Sequence, residues 1–372
     1  MKFLHLADLH LGKKLLEVDL IEDQKYVLQQ AIEIMKDLDC LVISGDVYDK
    51  PVASVEAMNL FQWFISELVK LNKKIFIVSG NHDSNKRLAY FSSLLRSSNI
   101  FISDEINGKL QSYSLDDEYG KISIHLLPFI KPADIKNFYP DIEINTYQKA
   151  IETVISNSNI DRKERNIILA HQFITGASRS DSEEYFVGGL DNVDASCFDD
   201  FDYVALGHLH NCQSVSKDTI MYAGSLLKYS FAESNQQKNF VVVDMKEKGN
   251  IEIKRIPVKF LRDVREIEGY FDDLINQKPT NDYLKVILHD ETVSADYRNR
   301  LYMIYPNMLS FGVENSQTKY ERSVLLDEVY QNKRIDELFV DFYKLQNNGN
   351  QPTKKQMDLL FEVIEEIKGE QQ

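Results

Sequence analysis

The sequence predicts an α/β protein built on a parallel sheet that helices cover on both faces. Over residues 2–96, short apolar strands alternate with segments whose apolar residues recur at helical spacing, and this β-α-β-α-β-α order is typical of such sheets. The strand Leu41–Ser44 runs directly into Gly45 and Asp46. Ligands of open parallel sheets bind beyond the carboxyl ends of the strands, so we expect Asp46 at the functional edge.

The first part of the chain contains three strands and three helices in alternation. The strands are Lys2–Ala7, Cys40–Ser44 and Lys74–Ser79. The predicted helices cover Val18 to about Lys36, Ala53 to Leu71, and the residues after Asp83 to about Arg96. Ser54 is the expected N-cap of the second helix, because its hydroxyl can accept a hydrogen bond from the first turn.

The middle of the chain changes pattern. Strand candidates at 99–103, 109–115 and 121–127 have no helices between them, which predicts either an antiparallel continuation of the sheet or a second layer. A helix is expected at about 146–156, followed by buried strands at 166–170 and 203–206. Strands at 219–223, 239–245 and 250–257 are expected to close the domain as an antiparallel set. A small β-α-β unit at 283–314 and C-terminal helices then follow.

Composition limits the classes of protein that fit. The chain has 372 residues, 43% of them apolar, and its three cysteines form no CxxC pair, which argues against zinc knuckles and a disulfide framework. No apolar run of 18 residues appears, and the N-terminal run is too short for a signal peptide, so we expect a cytoplasmic protein without membrane association. The net charge of −15 is unusual for a nucleic-acid binder. Either the substrate is not a polyanion, or metals, local Lys and Arg residues or a partner supply the positive charge.

Five strand ends carry side chains that bind metal ions in other proteins. These stretches are Asp8-x-His10, Gly45-Asp46, Gly80-Asn81-His82-Asp83, His171 and Gly207-His208-x-His210. Each stretch alone is more often structural, but five of the eight histidines fall at these strand ends. A glycine stands just before the metal-capable residues in three of the stretches and lets the backbone turn tightly. We therefore expect these side chains to converge at one edge of the sheet.

Seven of these side chains are candidate metal ligands, which is more than a single ion needs. The candidate metal ligands are Asp8, His10, Asp46, Asn81, His171, His208 and His210. Two ions that share Asp46 use them well, and mixed carboxylate, amide and imidazole donors favour Mn²⁺, Fe²⁺ or Zn²⁺ over Ca²⁺. Two ions ~3.5–4 Å apart can stabilise both the attacking and the leaving oxygen in a displacement at phosphorus. His82 remains as a catalytic residue that protonates the leaving alkoxide, and Asp83 is expected to orient it.

Taken together and in order, these motifs resemble the signature of the calcineurin-like metallophosphoesterases. The similarity is strongest to the DNA-nuclease branch of that superfamily and extends over essentially the whole chain. The stretches that carry it are Asp8-Leu9-His10-Leu11-Gly12-Lys13, Gly45-Asp46-Val47-Tyr48-Asp49, Gly80-Asn81-His82-Asp83-Ser84, Val187-Gly188-Gly189, Tyr203–His210 and Tyr222-Ala223-Gly224-Ser225. The resemblance implies a two-sheet sandwich flanked by helices, a small α+β capping domain and C-terminal helices. The corresponding boundaries are 1–258 for the nuclease domain, 259–318 for a DNA-facing capping domain and 319–372 for a helical segment that binds a partner.

The resemblance also implies the chemistry. Asp8, His10, Asp46 and His210 would hold one ion, and Asp46, Asn81, His171 and His208 the other, with manganese preferred at both. The substrate would be DNA, cut from double-stranded ends as an exonuclease and in single strands or hairpins as an endonuclease. The setting would be recombination, repair and replication of DNA. The flanking residues Lys13, Lys14, Lys86, Arg87 and Arg179 would be placed to touch phosphates, or would be ordinary surface charges.

The partner implied by the resemblance is an ABC-type ATPase with a long coiled coil. The last predicted helix, Thr353–Lys368, begins with a capping box of Thr353 and Gln356 and has an apolar stripe on one face. From spacing alone, that stripe fits packing within its own domain as well as docking to another chain; the resemblance favours docking. Such a complex would also supply much of the DNA groove and so account for the charge of −15. The resemblance further implies a homodimer through helices in the 54–97 region.

Two other functions compete with this interpretation. The first is a phosphodiesterase or phosphatase that acts on a small molecule, but phosphatases of this scaffold place an arginine right after the second aspartate of the GDxxD motif. Here Asp49 is followed by Lys50 and Pro51, which counts against them. The second is a non-catalytic adaptor with a relic site, and the intact set of seven ligands and His82 counts against that.

Overall fold

The computed structural model describes residues 1–178, 192–316, 335–346, 351–357 and 359–361. The strands of these residues are, in chain order, β1 (Lys2–Leu6), β2 (Lys14–Leu15), β3 (Val18–Asp19), β4 (Cys40–Ser44), β5 (Lys74–Val78), β6 (Ile100–Ile102), β7 (Gln111–Asp117), β8 (Gly120–Leu127), β9 (Arg165–His171), β10 (Phe173–Ile174), β11 (Asn192–Val193), β12 (Tyr203–Gly207), β13 (Gln213–Val215), β14 (Lys217–Tyr222), β15 (Asn239–Met245), β16 (Ile251–Pro257), β17 (Val264–Gly269), β18 (Tyr283–Leu288) and β19 (Met308–Val313). The helices are α1 (Ile21–Met35), α2 (Val55–Lys70), α3 (Asn85–Leu88), α4 (Ser92–Leu95), α5 (Pro132–Lys136), α6 (Tyr147–Ser156), α7 (Phe271–Ile275), α8 (Tyr297–Ile304) and α9 (Ile335–Gln346).

The first sheet has six strands in the order β16-β15-β1-β4-β5-β6. Strands β1, β4, β5 and β6 run parallel, with Leu4 opposite Leu41 and Val42 opposite Phe76. This confirms the parallel arrangement predicted for the start of the chain. Strand β15 pairs antiparallel with β1, and β16 antiparallel with β15, so the chain returns to the first sheet late in the sequence.

The second sheet also has six strands, in the order β13-β14-β12-β9-β8-β7. The segment after β6 therefore forms a second layer, which was one of the two arrangements expected for it. Strands β8, β9, β12 and β14 run parallel, and the edge strands β7 and β13 run antiparallel. The expectation of one closing antiparallel set was wrong for β14, because it lies in the second sheet, parallel to β12 and antiparallel to β13, whereas β15 and β16 pair antiparallel in the first sheet.

The two sheets pack face to face and helices cover their outer faces. Phe3, Val42 and Phe76 of the first sheet share one buried core with residues of the second, such as Leu169 and Ala205. Neighbouring residues on the same strands point the other way. Leu4 and Leu41 pack with Val27 of α1 and Phe64 of α2, whereas Ile168 and Val204 pack with Ile151 of α6. This alternation produces the predicted two-sheet sandwich flanked by helices.

The first two helices agree with the sequence-based prediction to within a few residues. Ser54 caps α2, because its side chain accepts a hydrogen bond from Ala57 N at 3.2 Å. The third predicted helix is broken into α3 and α4. The hydroxyl of Ser92, at the start of α4, donates its hydrogen bond to Asp104 Oδ1 at 2.7 Å and not to a carbonyl of its own helix. Serine-rich sequence propagates a helix poorly because its hydroxyls compete for local hydrogen bonds.

The chain divides into two compact units. One comprises Met1–Glu266, Thr280–Lys285 and Tyr305–Leu309, and the other contains Ile267–Pro279, Val286–Ile304 and the described part of Ser310–Gln372. Within the second unit the ring of Phe271 stacks on that of Tyr297 at 3.7 Å, and this contact joins α7 to α8. The predicted domain boundaries at 258 and 318 remain predictions. No helix among the described residues is long and apolar enough to cross a membrane.

His5 is a buried titratable residue between the two sheets. Its Nδ1 lies 3.0 Å from the hydroxyl of Tyr203, and burial lowers its pKa from 6.5 to about 3. Between these pH values the unfolded chain binds more protons than the folded one, so stability falls as the pH drops below 6.5. We expect this residue to lower the free energy of unfolding by about 2 kcal/mol at pH 5 relative to pH 7.5. Urea unfolding of the metal-free protein and its His5→Phe variant at both pH values measures the effect. An unchanged pH dependence in the variant would contradict it.

Candidate metal centre

The predicted metal-binding side chains come from the carboxyl ends of five parallel strands. Strands β1, β4 and β5 of the first sheet lead into three of the motifs, and β9 and β12 of the second sheet lead into the other two. The two sheets are joined next to the site, where Ser44 Oγ donates to the carbonyl of Ala205 at 2.9 Å. The six charged or imidazole members are buried and Asn81 is half-buried. The structure therefore brings all seven together at one end of the sandwich.

One group of donors surrounds His10. Its Nε2 lies 3.1 Å from Nε2 of His210, and ligand atoms of Asp8, His10 and His210 all lie within 4.8 Å of one another. The Asp8 carboxylate also accepts from the backbone N–H of His208 at 2.9 Å, which fixes its orientation. Three buried donors of two chemical types thus face a common point.

The second group surrounds His171. Its Nε2 lies 3.0 Å from Asn81 Oδ1, and the same amide oxygen lies 3.2 Å from Nδ1 of His208. Asp46 Oδ2 links the two groups, because it lies 3.3 Å from Nε2 of His171 and 3.6 Å from Nε2 of His10. Donors that share one ion at about 2.1 Å are separated by roughly 3.0–3.4 Å. The donor set and its spacing therefore fit two ions with Asp46 between them.

The backbone at this site adopts unusual conformations. Four of the candidate ligands have positive φ angles: 51° at Asp8, 42° at His10, 48° at Asp46 and 105° at His208. Aspartate and histidine tolerate the left-handed region better than most residues, but each such residue still costs free energy. Their concentration in one small volume is typical of a functional site rather than of a packed core.

The glycines before the ligands have two different roles. Gly45 has a φ of +86° and so makes the tight turn that the sequence predicted. At Gly80 and Gly207 the reason is space. A Cβ at Gly80 would collide with the Asp46 carboxylate, and one at Gly207 with the carbonyl of Ser44 and the ring of His171. Gly80 thus allows the loops after β4 and β5 of the first sheet to lie close together. Gly207 allows the two sheets to approach closely at the site, and Gly45 does so too, because a Cβ there would collide with the ring of His171.

Electrostatics at the site favour a bound cation. Burial raises the pKa of Asp8 to about 7. Burial also acts to raise the pKa of Asp46, but His171, together with His10 and His82, outweighs burial and holds that pKa well below its usual range. Burial acts to lower the pKa of His171, but Asp46, together with Asp8 and the Ser44 carbonyl, raises it to about 9. The protons at this cluster occupy positions that a divalent ion would take, so metal binding should release them.

Several side chains behind the ligands were missed from sequence. Glu233 Oε1 lies 3.0 Å from Nδ1 of His210, and Gln24 Nε2 donates to the carbonyl of His10 at 2.8 Å. Burial acts to raise the pKa of Glu233, but hydrogen bonding from His210 and the charge of Lys238 lower it to about 2. Glu233 belongs to a single 3-10 turn at Phe231–Glu233, and no spacing pattern marks such a residue in the sequence.

His82 and Asp83 make different contacts from each other. His82 Nδ1 lies 3.0 Å from the carbonyl oxygen of Asp49, and its ring packs edge-on against that of His10 at 4.9 Å. The Asp83 carboxylate accepts from the backbone N–H groups of Tyr48 at 2.9 Å and Gly80 at 3.0 Å. His82 is therefore oriented by the carbonyl of Asp49 and not, as expected from the sequence, by Asp83. Asp83 instead connects the loops after β4 and β5 by hydrogen bonds.

The flanking basic residues differ in what they contact. Lys13 Nζ forms an ion pair with Asp49 Oδ1 at 2.8 Å, so the positive charge of Lys13 is partly neutralised within the site. Lys86 is exposed and pairs with Glu105 at 3.3 Å. Lys14 and Arg87 are exposed. Arg179 lies outside the described residues.

Comparison with known proteins gives a consistent family. A family model described as calcineurin-like phosphoesterase matches residues 1–212, and one described as type 5 capsule protein repressor C-terminal domain matches residues 261–347. The chain is 35% identical to the SbcD subunit of the nuclease SbcCD of Staphylococcus epidermidis over 357 residues, which is 92% of this chain and 93% of that protein. It is 33% identical to the SbcD subunit of the nuclease SbcCD of Staphylococcus saprophyticus over 374 residues, which is 98% of each chain. The chain therefore belongs to the calcineurin-like phosphoesterases and, among them, to the SbcD family.

Proposed function

We propose that this chain is a two-metal, Mn²⁺-dependent DNA nuclease that works as the SbcD component of an SbcCD-type complex. It would cut double-stranded ends as an exonuclease and single strands or hairpins as an endonuclease, in ATP-dependent processing of DNA ends for recombination, repair and replication. The observation that supports this most is the convergence of two donor groups that share Asp46, at 3.3 Å from His171 and 3.6 Å from His10. Family membership makes the chain a metal-dependent phosphoesterase, and its relatives are named as nucleases.

In this proposal two sets of side chains would hold the ions, with Asp46 common to both sets. Asp8, His10, Asp46 and His210 would hold one ion, and Asp46, Asn81, His171 and His208 would hold the other. When bound, two ions of this kind lower the pKa of a water molecule and stabilise the attacking and leaving oxygens at phosphorus. The imidazole and carboxylate donors suit Mn²⁺, although they also suit Fe²⁺ and Zn²⁺.

His82 is the proposed general acid. Its Nδ1 is fixed by the carbonyl of Asp49, which leaves Nε2 for the substrate. From that position the ring can donate a proton to the leaving alkoxide. Asp83 holds the backbone of this loop through its bonds to Tyr48 N and Gly80 N, so it positions His82 indirectly. Lys13, Lys14, Lys86 and Arg87, with Arg179, are proposed to contact DNA phosphates.

The proposed partner is the SbcC ATPase, bound through the C-terminal helices. Among the described residues there, Phe342, Leu359 and Phe361 are exposed, with 60% of the Phe342 side chain accessible. One half of the predicted capping box is present, because Gln356 Oε1 accepts from Thr353 N at 2.9 Å, whereas the Thr353 hydroxyl donates to the same oxygen at 2.8 Å. Exposed aromatic and aliphatic side chains near one another are typical of a protein interface.

Truncation before Ile335 is expected to leave a folded protein that no longer binds SbcC. The metal ligands all lie before residue 211, so the truncated chain should bind Mn²⁺ as the full chain does. Co-purification with SbcC and a Mn²⁺ titration measure the two properties separately. Retained association with SbcC in the truncated chain would refute the docking proposal.

A homodimer through the 54–97 region is the second proposed contact. Val55, Met58, Tyr90, Phe91 and Leu94 expose large apolar side chains there, between 45% and 76% accessible. In the proposed dimer these side chains would be buried against the second copy of the chain. Light scattering at micromolar concentration tests it, and a monomeric mass would contradict it.

The substrate is tested with the purified chain and three classes of phosphoester. A labelled DNA duplex and hairpin, a chromogenic phosphodiester and a phosphomonoester are incubated with Mn²⁺. We expect cleavage of DNA that EDTA abolishes. Hydrolysis of the small esters with DNA untouched, even with SbcC and ATP supplied, would keep the metal centre and overturn the proposed substrate.

A further inference from the structure

A buried ion pair lies directly behind His210. Glu233 Oε1 is 3.0 Å from Nδ1 of His210, and Glu233 Oε2 is 2.6 Å from Nζ of Lys238. Both Glu233 and Lys238 are 0% exposed. Burying two charges costs several kcal/mol unless further hydrogen bonds offset the lost hydration. The attraction between Glu233 and Lys238 therefore does not by itself account for a buried ion pair in this position.

Lys238 has further hydrogen-bond partners that offset part of the cost of its burial. Its ammonium group also lies within hydrogen-bond distance of the carbonyl of His210 at 2.9 Å, of Ser225 Oγ at 3.0 Å and of Gln236 Oε1 at 2.7 Å, so its three N–H donors are shared among four acceptors. Glu233 thus contacts the ring of His210, and Lys238 contacts its backbone. Together they fix both the position of the residue and the direction in which its imidazole points.

The contact from Glu233 also selects the tautomer. A carboxylate accepts hydrogen bonds, so Nδ1 of His210 carries the proton and Nε2 keeps its lone pair. That lone pair faces the site, 3.1 Å from Nε2 of His10. Histidines that bind metal ions commonly have a carboxylate in this place, where it orients the ring and raises its basicity.

The other half of the centre is held differently. Nδ1 of His171 lies 2.8 Å from the backbone carbonyl of Ser44, so its tautomer depends on the fold of β4 and not on a replaceable side chain. The two halves therefore differ in their sensitivity to mutation. Substitutions of Glu233 should weaken the binding of one ion and leave the affinity for the other unchanged.

We propose that Glu233, supported by Lys238, is the positioning residue for the half of the metal centre that contains His210. This inference rests on the metal assignment in the proposed function. Loss of the Glu233 acceptor lets the imidazole turn or take the other tautomer, and the ion held by Asp8, His10, Asp46 and His210 binds more weakly. Partners of this type are typically worth about 10–100-fold in metal affinity.

Two matched double variants test the proposal. Glu233→Leu with Lys238→Met removes the acceptor and both charges together, which avoids leaving one buried charge unpaired. Glu233→Gln with Lys238→Met removes the same charges but keeps an oxygen that can accept from Nδ1. Mn²⁺ binding is measured by calorimetry and by electron paramagnetic resonance, and thermal unfolding in EDTA checks the fold.

We expect the Leu/Met variant to bind one Mn²⁺ about 10–100-fold more weakly and the other with unchanged affinity. The Gln/Met variant, which loses Lys238 but keeps the acceptor for Nδ1, should bind the affected ion more tightly than the Leu/Met variant does. Wild-type affinity at both sites in a folded Leu/Met variant would overturn the proposal. Equal weakening of both ions would overturn it as well.

A measurement on the unmodified chain covers the case in which the Leu/Met variant does not fold. Histidine ¹⁵N resonances of the metal-free protein report the tautomer, with His210 assigned from its His210→Asn variant. A proton on Nδ1 alone supports the proposal, and a proton on Nε2 overturns it. If the wild type binds two Mn²⁺ ions but leaves DNA intact, the proposed function fails while the role of Glu233 stands.

Discussion

Replacing Asp46 with alanine is expected to abolish cleavage of DNA. Oδ2 of this residue lies 3.6 Å from His10 Nε2 and 3.3 Å from His171 Nε2, so its loss affects both proposed ions. Removing a side chain that only supports a ligand already costs about 10–100-fold, so removing the bridge should cost more than about 100-fold. Initial rates on a labelled duplex with Mn²⁺ measure the loss.

The matched control is an aspartate away from the site. Asp141 is exposed and lies in the segment between α5 and α6, so Asp141→Ala should cut DNA at the wild-type rate. Mn²⁺ titration of both variants separates a lost ion from a lost fold. Cleavage by Asp46→Ala within a few fold of the wild type would refute the bridging role.

Replacing His82 with glutamine is expected to remove catalysis while both metal ions still bind. The ring contacts the carbonyl of Asp49 and the edge of His10, and neither contact requires it to be a ligand. Glutamine cannot supply a proton to the leaving oxygen, and general acid catalysis typically contributes about 10²–10⁴-fold. Cleavage rate and Mn²⁺ stoichiometry of the same preparation are the two readouts.

His125→Gln provides the corresponding control. This histidine is buried in β8, where it contacts Ser112 Oγ at 2.8 Å and Asn166 Oδ1 at 3.0 Å, and glutamine can keep polar contacts there. Its activity should stay close to that of the wild type. Loss of both Mn²⁺ ions in His82→Gln would instead make His82 a ligand and remove its proposed role as acid.

Much of the site is visible in the sequence because of the sheet topology. In a parallel sheet the carboxyl ends of the strands lie together, so residues far apart in sequence share one edge, as Asp8 and Asp46 do in the first sheet and His171 and His208 in the second. Apolar strands that stop at a polar residue mark those ends without further information. The same reasoning predicts the parallel order β1-β4-β5 and the helices between these strands.

Other features have no local signal. Glu233 and Lys238 act on His210 from residues 23 and 28 positions away in sequence, through a turn that periodicity does not reveal. Asp83 looks like a partner of its neighbour His82, but its carboxylate is occupied by the backbone of Tyr48 and Gly80. The space requirement at Gly207 is likewise set by the approach of the two sheets, and that at Gly80 by the position of the Asp46 loop beside it, and both depend on tertiary packing.

The strain at the centre and the supports behind it are related. Asp8, His10, Asp46 and His208 all have positive φ angles, which the folded structure maintains at a cost of order 1–3 kcal/mol each. Bonds such as Asp8 N to Gly45 O at 3.1 Å and His10 N to Asp46 O at 2.9 Å hold the loops in these conformations. The candidate ligands are thus preorganised by the loops before any ion binds.

Crystals of the chain grown with Mn²⁺ and measured at the manganese absorption edge test the central claim most directly. Two anomalous peaks are predicted about 3.5–4 Å apart, both within bonding distance of the Asp46 carboxylate. One should be bound by Asp8, His10 and His210, and the other by Asn81, His171 and His208. A single peak, or two peaks that do not share Asp46, would contradict the two-ion centre on which the proposed nuclease mechanism depends.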